Sequence, residues 1–399
     1  MDELKAKGIR PGRSDLRSGP QFTAEAIRTV ERSGRTGNGN HCLFYGTRAA
    51  RGLMYQDCGD TGRKGGRTDS EKRRHSGKRD DCEVELSMNN RKSMDLRKNG
   101  LAVITVVLAV IFAFAVPQFA NLRNINVIGI GRVPVAMFAM ASLIPLAVGE
   151  FDISLGYMIG FLLMLGGKMA SIGGTALGVV VVIMLSSVVL GAFNGLITVV
   201  FKIPSTISTL ATGMIMYGGS LGLNGGKSFT GVTPDLLMWI SKIKIVKLNI
   251  CIWVCLAAGI SAWLILEHSP LGKYIYAIGH SERVVALAGI RTKIVRFVSF
   301  IIASVLIGLC AVVLMSQSKN VYPDTGQSYL LPGLAVTFLS TTVHTPGRYN
   351  IPGVLWSAVF LGMVFNVISI LGAPFWAEAV INGIVLLGVV LVMNLRRQK

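Results

Sequence analysis

From residue 101 onward the chain alternates long apolar runs with short polar breaks. The runs are Leu101–Val116, Ile125–Val148, Leu155–Ser171, Leu177–Phe201, Thr206–Leu223, Leu248–Leu266, Val295–Met315, Leu330–Ser340, Ile351–Leu371 and Phe375–Leu395. Most approach the roughly 20 residues that a helix needs to cross the hydrocarbon of a bilayer. Only seven carboxylates occur in residues 101–399: Glu150, Asp152, Asp235, Glu267, Glu282, Asp324 and Glu378. A water-soluble domain of this length carries charge over most of its surface, and this one does not. The pattern predicts an all-α, polytopic transmembrane bundle of about ten spans. The second span is expected to be interrupted at Arg132-Val133-Pro134, and the third and eighth are short.

The breaks carry the remaining information. Short segments interrupted by Gly or Pro, 149–171 and 326–341, point to a solute pathway, because broken helices persist in lipid only where freed backbone groups find protein or water. The cations set an orientation with both termini in the cytoplasm. Arg97, Lys98, Lys202, Lys273, Arg283, Arg291, Lys293, Arg296, Arg348, Arg396, Arg397 and Lys399 then fall inside, twelve against eight outside.

The formal charge of +19 would suit nucleic acid, but its placement argues otherwise. Residues 1–100 hold 22 of the 40 Lys and Arg and 14 of the 21 acids, so this segment is mixed in sign and poor in large apolar side chains. Such a composition cannot offset the entropy of ordering, and residues 1–93 read as a disordered extension ahead of a membrane domain at 94–399. Met94-Asp95-Leu96-Arg97-Lys98 has the features of a membrane protein's own start, which makes an over-long start the alternative reading of the extension. Cys42, Cys58 and Cys82 lie in the extension without CxxC spacing, while Cys251, Cys255 and Cys310 sit in apolar runs. Neither a disulfide framework nor a metal site is indicated.

No catalytic pattern emerges. The five histidines form no HExxH, and Gly226-Lys227-Ser228 lacks the upstream Gly of a phosphate-binding loop, where Leu221 stands. Any ATP that drives this protein must bind another chain. Glu150 and Asp152 are the nearest approach to a carboxylate pair, and at a span boundary they read as solvated or helix-capping.

The longest polar break, Glu267–Lys293, is expected to be a loop with a short amphipathic helix at 281–290. Ser281 would cap it, Val284, Val285, Leu287 and Ala288 would supply its apolar face, and Gly289 would end it. A helix this short and weakly basic suits docking into a partner's groove better than lying on lipid.

Leu271-Gly272-Lys273-Tyr274-Ile275-Tyr276-Ala277-Ile278-Gly279, followed by Glu282, Ala286, Gly289 and Ile290, resembles the cytoplasmic coupling segment of sugar-importing ABC permeases. These are the ribose, xylose and autoinducer-2 type of the branched binding-protein-dependent permease family. Gly149-Glu150-Phe151-Asp152-Ile153-Ser154-Leu155-Gly156 is similar to the family's Gly-Gly-Ile-Asp-Leu-Ser-Val-Gly signature. Gly191-Ala192-Phe193-Asn194-Gly195 and Lys202-Ile203-Pro204-Ser205-Thr206-Ile207-Ser208-Thr209-Leu210 resemble its Asn-Gly and Ile-Pro-x-x-Ile-x-Thr-Leu motifs. Two departures stand out. Arg283-Val284 replaces the usual two alanines after the coupling Glu, and Leu334–Thr342 replaces a run ending in Leu-Gly-Gly.

The resemblance implies a non-enzymatic permease subunit of the inner membrane, moving a sugar-like solute. Its partners would be cytoplasmic ATPase subunits that hold ATP and magnesium, an extracytoplasmic solute-binding protein and a second permease copy. It assigns coupling to Glu282, Ala286 and Gly289. Asp152, Asn194, Thr209 and Asn366 are candidate pathway residues, since polar groups within spans are costly and often functional; hydrogen bonding between helices is the alternative for each. A secondary transporter driven by an ion gradient is the competing function. It calls for an acid within a span, and Glu378 alone lies inside one.

Overall fold

A computed structural model of the chain describes residues 100–116, 119–374 and 376–397. The expectations of disorder and of an over-long start concern residues outside that set. Among the described residues the protein is almost wholly helical. Six helices are long and apolar enough to cross a membrane: α2 (Leu122–Val148), α3 (Ser154–Ser171), α4 (Ala176–Val200), α7 (Ile250–Trp263, continued by a π turn to His268), α10 (Thr292–Gln317) and α12 (Ile351–Ile370). Four others complete the apolar set: α1 (Gly100–Ala115), α5 (Ser205–Gly222), α11 (Gln327–Leu339) and α13 (Ala377–Arg397). Each apolar run read from the sequence falls on one of these ten helices.

Side-chain caps fix several helix starts, as their sequence allows. Asn121, Thr175, Asn249 and Asn350 accept backbone N–H bonds of 3.0, 3.2, 2.9 and 2.7 Å at the starts of α2, α4, α7 and α12. The polar stretch 224–247 is not plain loop. It holds the amphipathic α6 (Asp235–Lys242) and opens a small antiparallel hairpin, β1 (Lys244–Ile245) with β2 (Leu248–Asn249). Its turn residues Val246 and Lys247 adopt φ of 52° and 63°, a left-handed conformation that their side chains do not advertise.

Helix α2 is the axis of the fold, packed by α3, α7, α8, α10, α11 and α12, where α8 is Pro270–His280. Met137, Phe138, Met140, Leu143 and Ile144 on it are fully enclosed. The interruption expected at Arg132-Val133-Pro134 does not occur, and α2 runs through both Pro134 and Pro145. Close packing from several sides holds the helix across the missing proline donors.

Helices α4 and α10 meet along a seam of small residues in antiparallel register. Gly195 lies against Phe300, Gly191 against Ser304, and Ser187 against Gly308. A Cβ on Gly191 would fall 2.0 Å from Ser304 Oγ, so the backbones approach as closely as glycine permits. The opposite face of α4 presents Leu177, Val181, Leu185, Val189, Leu196 and Val200 outward. A long stripe of exposed aliphatic side chains is unstable in water and ordinary in lipid.

Candidate coupling site

Helices α8 and α9 (Glu282–Leu287) occupy most of the stretch expected to be a loop. Ser269 caps α8 by accepting from Gly272 N at 3.3 Å, and Pro270 opens it at a position where no N–H is needed. Ile275, Tyr276 and Ile278 face the core. The Tyr276 hydroxyl donates to Tyr349 O at 2.8 Å, and the Arg348 guanidinium sits 3.6 Å over the Tyr276 ring while pairing with Glu267 at 3.3 Å. Burial pushes the Tyr276 hydroxyl up to about 12 against the opposing pull of Arg348, so it remains a neutral donor. At the far end of α8, a Cβ on Gly279 would lie 2.1 Å from Ala147 O. Helix α8 therefore rests directly on the C-terminal turn of α2.

Helix α9 follows after a single extended residue, Ser281. Val285 alone of its apolar residues is buried. Val284 is 64% exposed and Leu287 83%. The expected common apolar face of Val284, Val285, Leu287 and Ala288 is thus not formed within the chain. Six residues make fewer than two turns, and only one inward position reaches α8 and α10. The expected Ser281 cap is also absent: its side chain makes no capping bond, because the residue is spent joining two helices. The C-terminal expectation holds. Gly289 adopts φ of 81°, Gly289 N donates to Ala286 O at 3.0 Å and Ile290 N to Val285 O at 3.4 Å. Ala286 and Gly289 lie at the surface, and no heavy atom lies within 4 Å of where a Gly289 Cβ would stand.

Glu282, in the first turn of α9, accepts from Arg296 Nη1 of α10 at 3.1 Å. The same guanidinium grips Glu150 through Nη2. Glu150 is only 8% exposed and follows directly on the left-handed Gly149 that ends α2. The reading of Glu150 as a solvated carboxylate is therefore corrected. Arg296 is the hub: one planar fork joins the starts of α9 and α10 to the end of α2.

Three of the four candidate pathway residues gather beside this hub. Asp152 Oδ1 accepts from Ser154 N at 2.9 Å and Ser154 Oγ at 2.6 Å, fastening the start of α3. Asn194 Nδ2 donates to Ser154 Oγ at 2.6 Å, while its buried Oδ1 has no partner among the described residues. Thr209 Oγ1 accepts from Ile153 N at 3.1 Å and Ser205 Oγ from Phe151 N at 3.0 Å. Hydroxyls of α5 thus satisfy the amides freed where α2 gives way to α3. Desolvation outweighs these bonds at Asp152, in that connection, and pushes its carboxyl up to about 6. Asn366 is elsewhere: half-buried on α12, it exchanges amide bonds of 2.8 and 2.9 Å with Asn124 of α2. Glu378, the one acid inside an expected span, pairs with Arg132 at 2.9 Å.

Sequence reasoning missed Arg296, Gly279 and the ion-paired role of Glu150. A positive charge four residues into a long apolar helix is a signal for Arg296. Nothing local marks Gly279 as a contact point.

Comparison with known proteins places the chain in a family. Residues 119–390 match the family described as branched-chain amino acid transport system / permease component. The chain is 25% identical over 307 residues to the ribose import permease protein RbsC of Escherichia coli (strain K12), covering 76% of this chain and 95% of that protein. It is 27% identical over 311 residues to the autoinducer 2 import system permease protein LsrC of Escherichia coli O157:H7, covering 74% and 90%. The ribose import permease protein RbsC of Haemophilus influenzae is 25% identical over 296 residues, covering 73% and 91%. No solved structure matches the chain. The protein belongs to the branched-chain amino acid transport system / permease component family and is a transport permease, not an enzyme.

Proposed function

We propose that residues 94–399 form the membrane-spanning permease of a binding-protein-dependent ABC importer for a sugar or sugar-like solute. The ten apolar helices cross the inner membrane ten times, with both termini in the cytoplasm. Two permease copies enclose the pathway, and an extracytoplasmic binding protein delivers the solute. Cytoplasmic subunits hydrolyse ATP with magnesium, each receiving one α9. The observation that carries this reading is α9 itself. It turns two aliphatic side chains outward, yet is tied through Arg296 to Glu150 at the end of the central helix. Displacement of α9 is passed on by packed contacts at Gly279 and by the Arg296 fork, which suits a rigid mechanical link. Glu282 serves as the α9 anchor, and Ala286 and Gly289 as the close-packed floor against the ATPase. Asp152, Asn194 and Thr209 hold the elbow at 149–153 that carries Glu150. Asn366, with Asn124, remains as a pathway position.

The test reconstitutes the permease with its ATPase and binding protein and measures solute-stimulated ATP hydrolysis. Ala286→Phe combined with Gly289→Val is expected to abolish stimulation while the protein still accumulates in the membrane. Unchanged turnover would remove the basis of the proposal.

A further inference from the structure

Beside α9 lies a feature that shares the Arg296 hub with the coupling site and adds two lysines that coupling does not use. A half-open cleft of about 370 Å³ brings Lys202, Ser205, Thr292 and Lys293 together beside Glu150, Glu282 and Arg296. Both acids are engaged by Arg296, whereas Lys202 and Lys293 make no ion pair among the described residues. Two helices of ample length, α5 and α10, begin at this cleft with Ser205 and Thr292, and their N-terminal dipole ends add positive potential, Thr292 N itself donating to Ile290 O at 2.9 Å. Thr292, a residue of the cleft lining, is 9% exposed, and its hydroxyl has no hydrogen-bond partner among the described residues. Ser205 Oγ accepts from Phe151 N, which leaves its proton to donate. Lys202 is held in the left-handed region at φ 56°, an uncommon conformation for a lysine that fixes where its stem departs.

The surroundings place the cleft at headgroup depth. The outward aliphatic stripe of α4 ends at Val200 and Phe201, which are exposed, as are Ile203 and Ile294 next to the two lysines. Ammonium groups at the rim of an apolar band meet lipid phosphates there, with their stems along the hydrocarbon.

We propose that this cleft binds a phosphate-bearing anion, supplied by an anionic phospholipid headgroup. Lys202 and Lys293 clamp the phosphate oxygens, and the Thr292 and Ser205 hydroxyls donate to them. This inference needs only the membrane setting and stands apart from the coupling role of α9.

The full chain, purified in a neutral detergent, is titrated with short-chain phosphatidylglycerol, short-chain phosphatidylcholine and inorganic phosphate, with thermal unfolding as readout. Phosphatidylglycerol is expected to raise the midpoint and phosphatidylcholine to leave it unchanged. Lys202→Gln and Lys293→Gln should each weaken the phosphatidylglycerol effect about tenfold in apparent affinity, the loss typical of one charge-assisted contact. Lys227→Gln, outside the cleft, should retain it. A shift by inorganic phosphate that both lysine variants lose would support the site with a soluble anion as its source. Equal shifts by both lipids, a phosphatidylglycerol effect that survives in Lys202→Gln/Lys293→Gln, or no response to either phosphate source would overturn the proposal.

Discussion

Adding one methyl group to the seam between α4 and α10 gives a sharp test of the packing. In Gly191→Ala the new Cβ would stand 2.0 Å from Ser304 Oγ, 2.4 Å from Ser304 Cβ and 3.0 Å from Phe300 O. The obstruction is a side-chain stub fixed to the helix, so relief requires the two backbones to separate. Overpacking of this kind costs about 1–3 kcal/mol. Ser304→Gly removes the two nearest atoms, at roughly 1 kcal/mol for a glycine inside a helix. In Gly191→Ala/Ser304→Gly the nearest remaining atom is Phe300 O, and the clash largely disappears. The double variant should therefore be more stable than Gly191→Ala alone, with a coupling energy of about 1–2 kcal/mol. Unfolding in mixed dodecylmaltoside and dodecyl sulfate micelles, followed by far-ultraviolet circular dichroism, measures all four corners of the cycle. Additivity within about 0.5 kcal/mol would show that positions 191 and 304 do not meet and would refute the close-packed register.

Arg296→Gln leaves Glu150 buried without its cation, and a loss of about 2–4 kcal/mol in the same unfolding assay is expected, with Glu150→Gln/Arg296→Gln recovering part of it. Gly279→Ala forces α8 off the end of α2 and should lower solute-stimulated ATP hydrolysis several-fold in the reconstituted system while assembly with the ATPase, read by co-purification, persists. Val284→Asp/Leu287→Asp should do the reverse, leaving unfolding unchanged and abolishing co-purification, because both side chains face outward. Asp152 binds its proton more tightly in the folded chain, near pH 6 against 3.8 unfolded, so stability should fall as pH rises through that window and stay level above it. Asp152→Asn keeps an acceptor for Ser154 and removes the charge. It should flatten this dependence and raise stability at pH 7 by up to about 3 kcal/mol, since each pKa unit corresponds to about 1.36 kcal/mol.

The helices were readable because lipid imposes a strong one-dimensional rule, and the apolar runs map onto helices with shifts of a few residues. The interruption at Pro134 was misread because a proline's local penalty carries no information about neighbours that enclose the helix. Residues 267–293 looked like loop for a related reason. Helix α8 carries Lys273, Tyr274, Tyr276 and His280, and its polarity reflects a boundary position rather than missing structure. The proposed coupling positions Glu282, Ala286 and Gly289 came from motif resemblance, and the structure adds the Arg296 fork to Glu150 and the Gly279 contact with Ala147, which join residues more than a hundred positions apart. The hairpin turn at Val246-Lys247 lacks the Asn or Gly that would have announced it.

The elbow at 149–153 has an energetic corollary. Its amides are held by the Ser205 and Thr209 hydroxyls, and water replaces such bonds with a net loss of only about 0.5–1.5 kcal/mol each. Two of them form a light latch. Exchanging both for water would change the free energy by only about 1–3 kcal/mol, so the hold of α5 on the elbow is light beside the apolar packing around it.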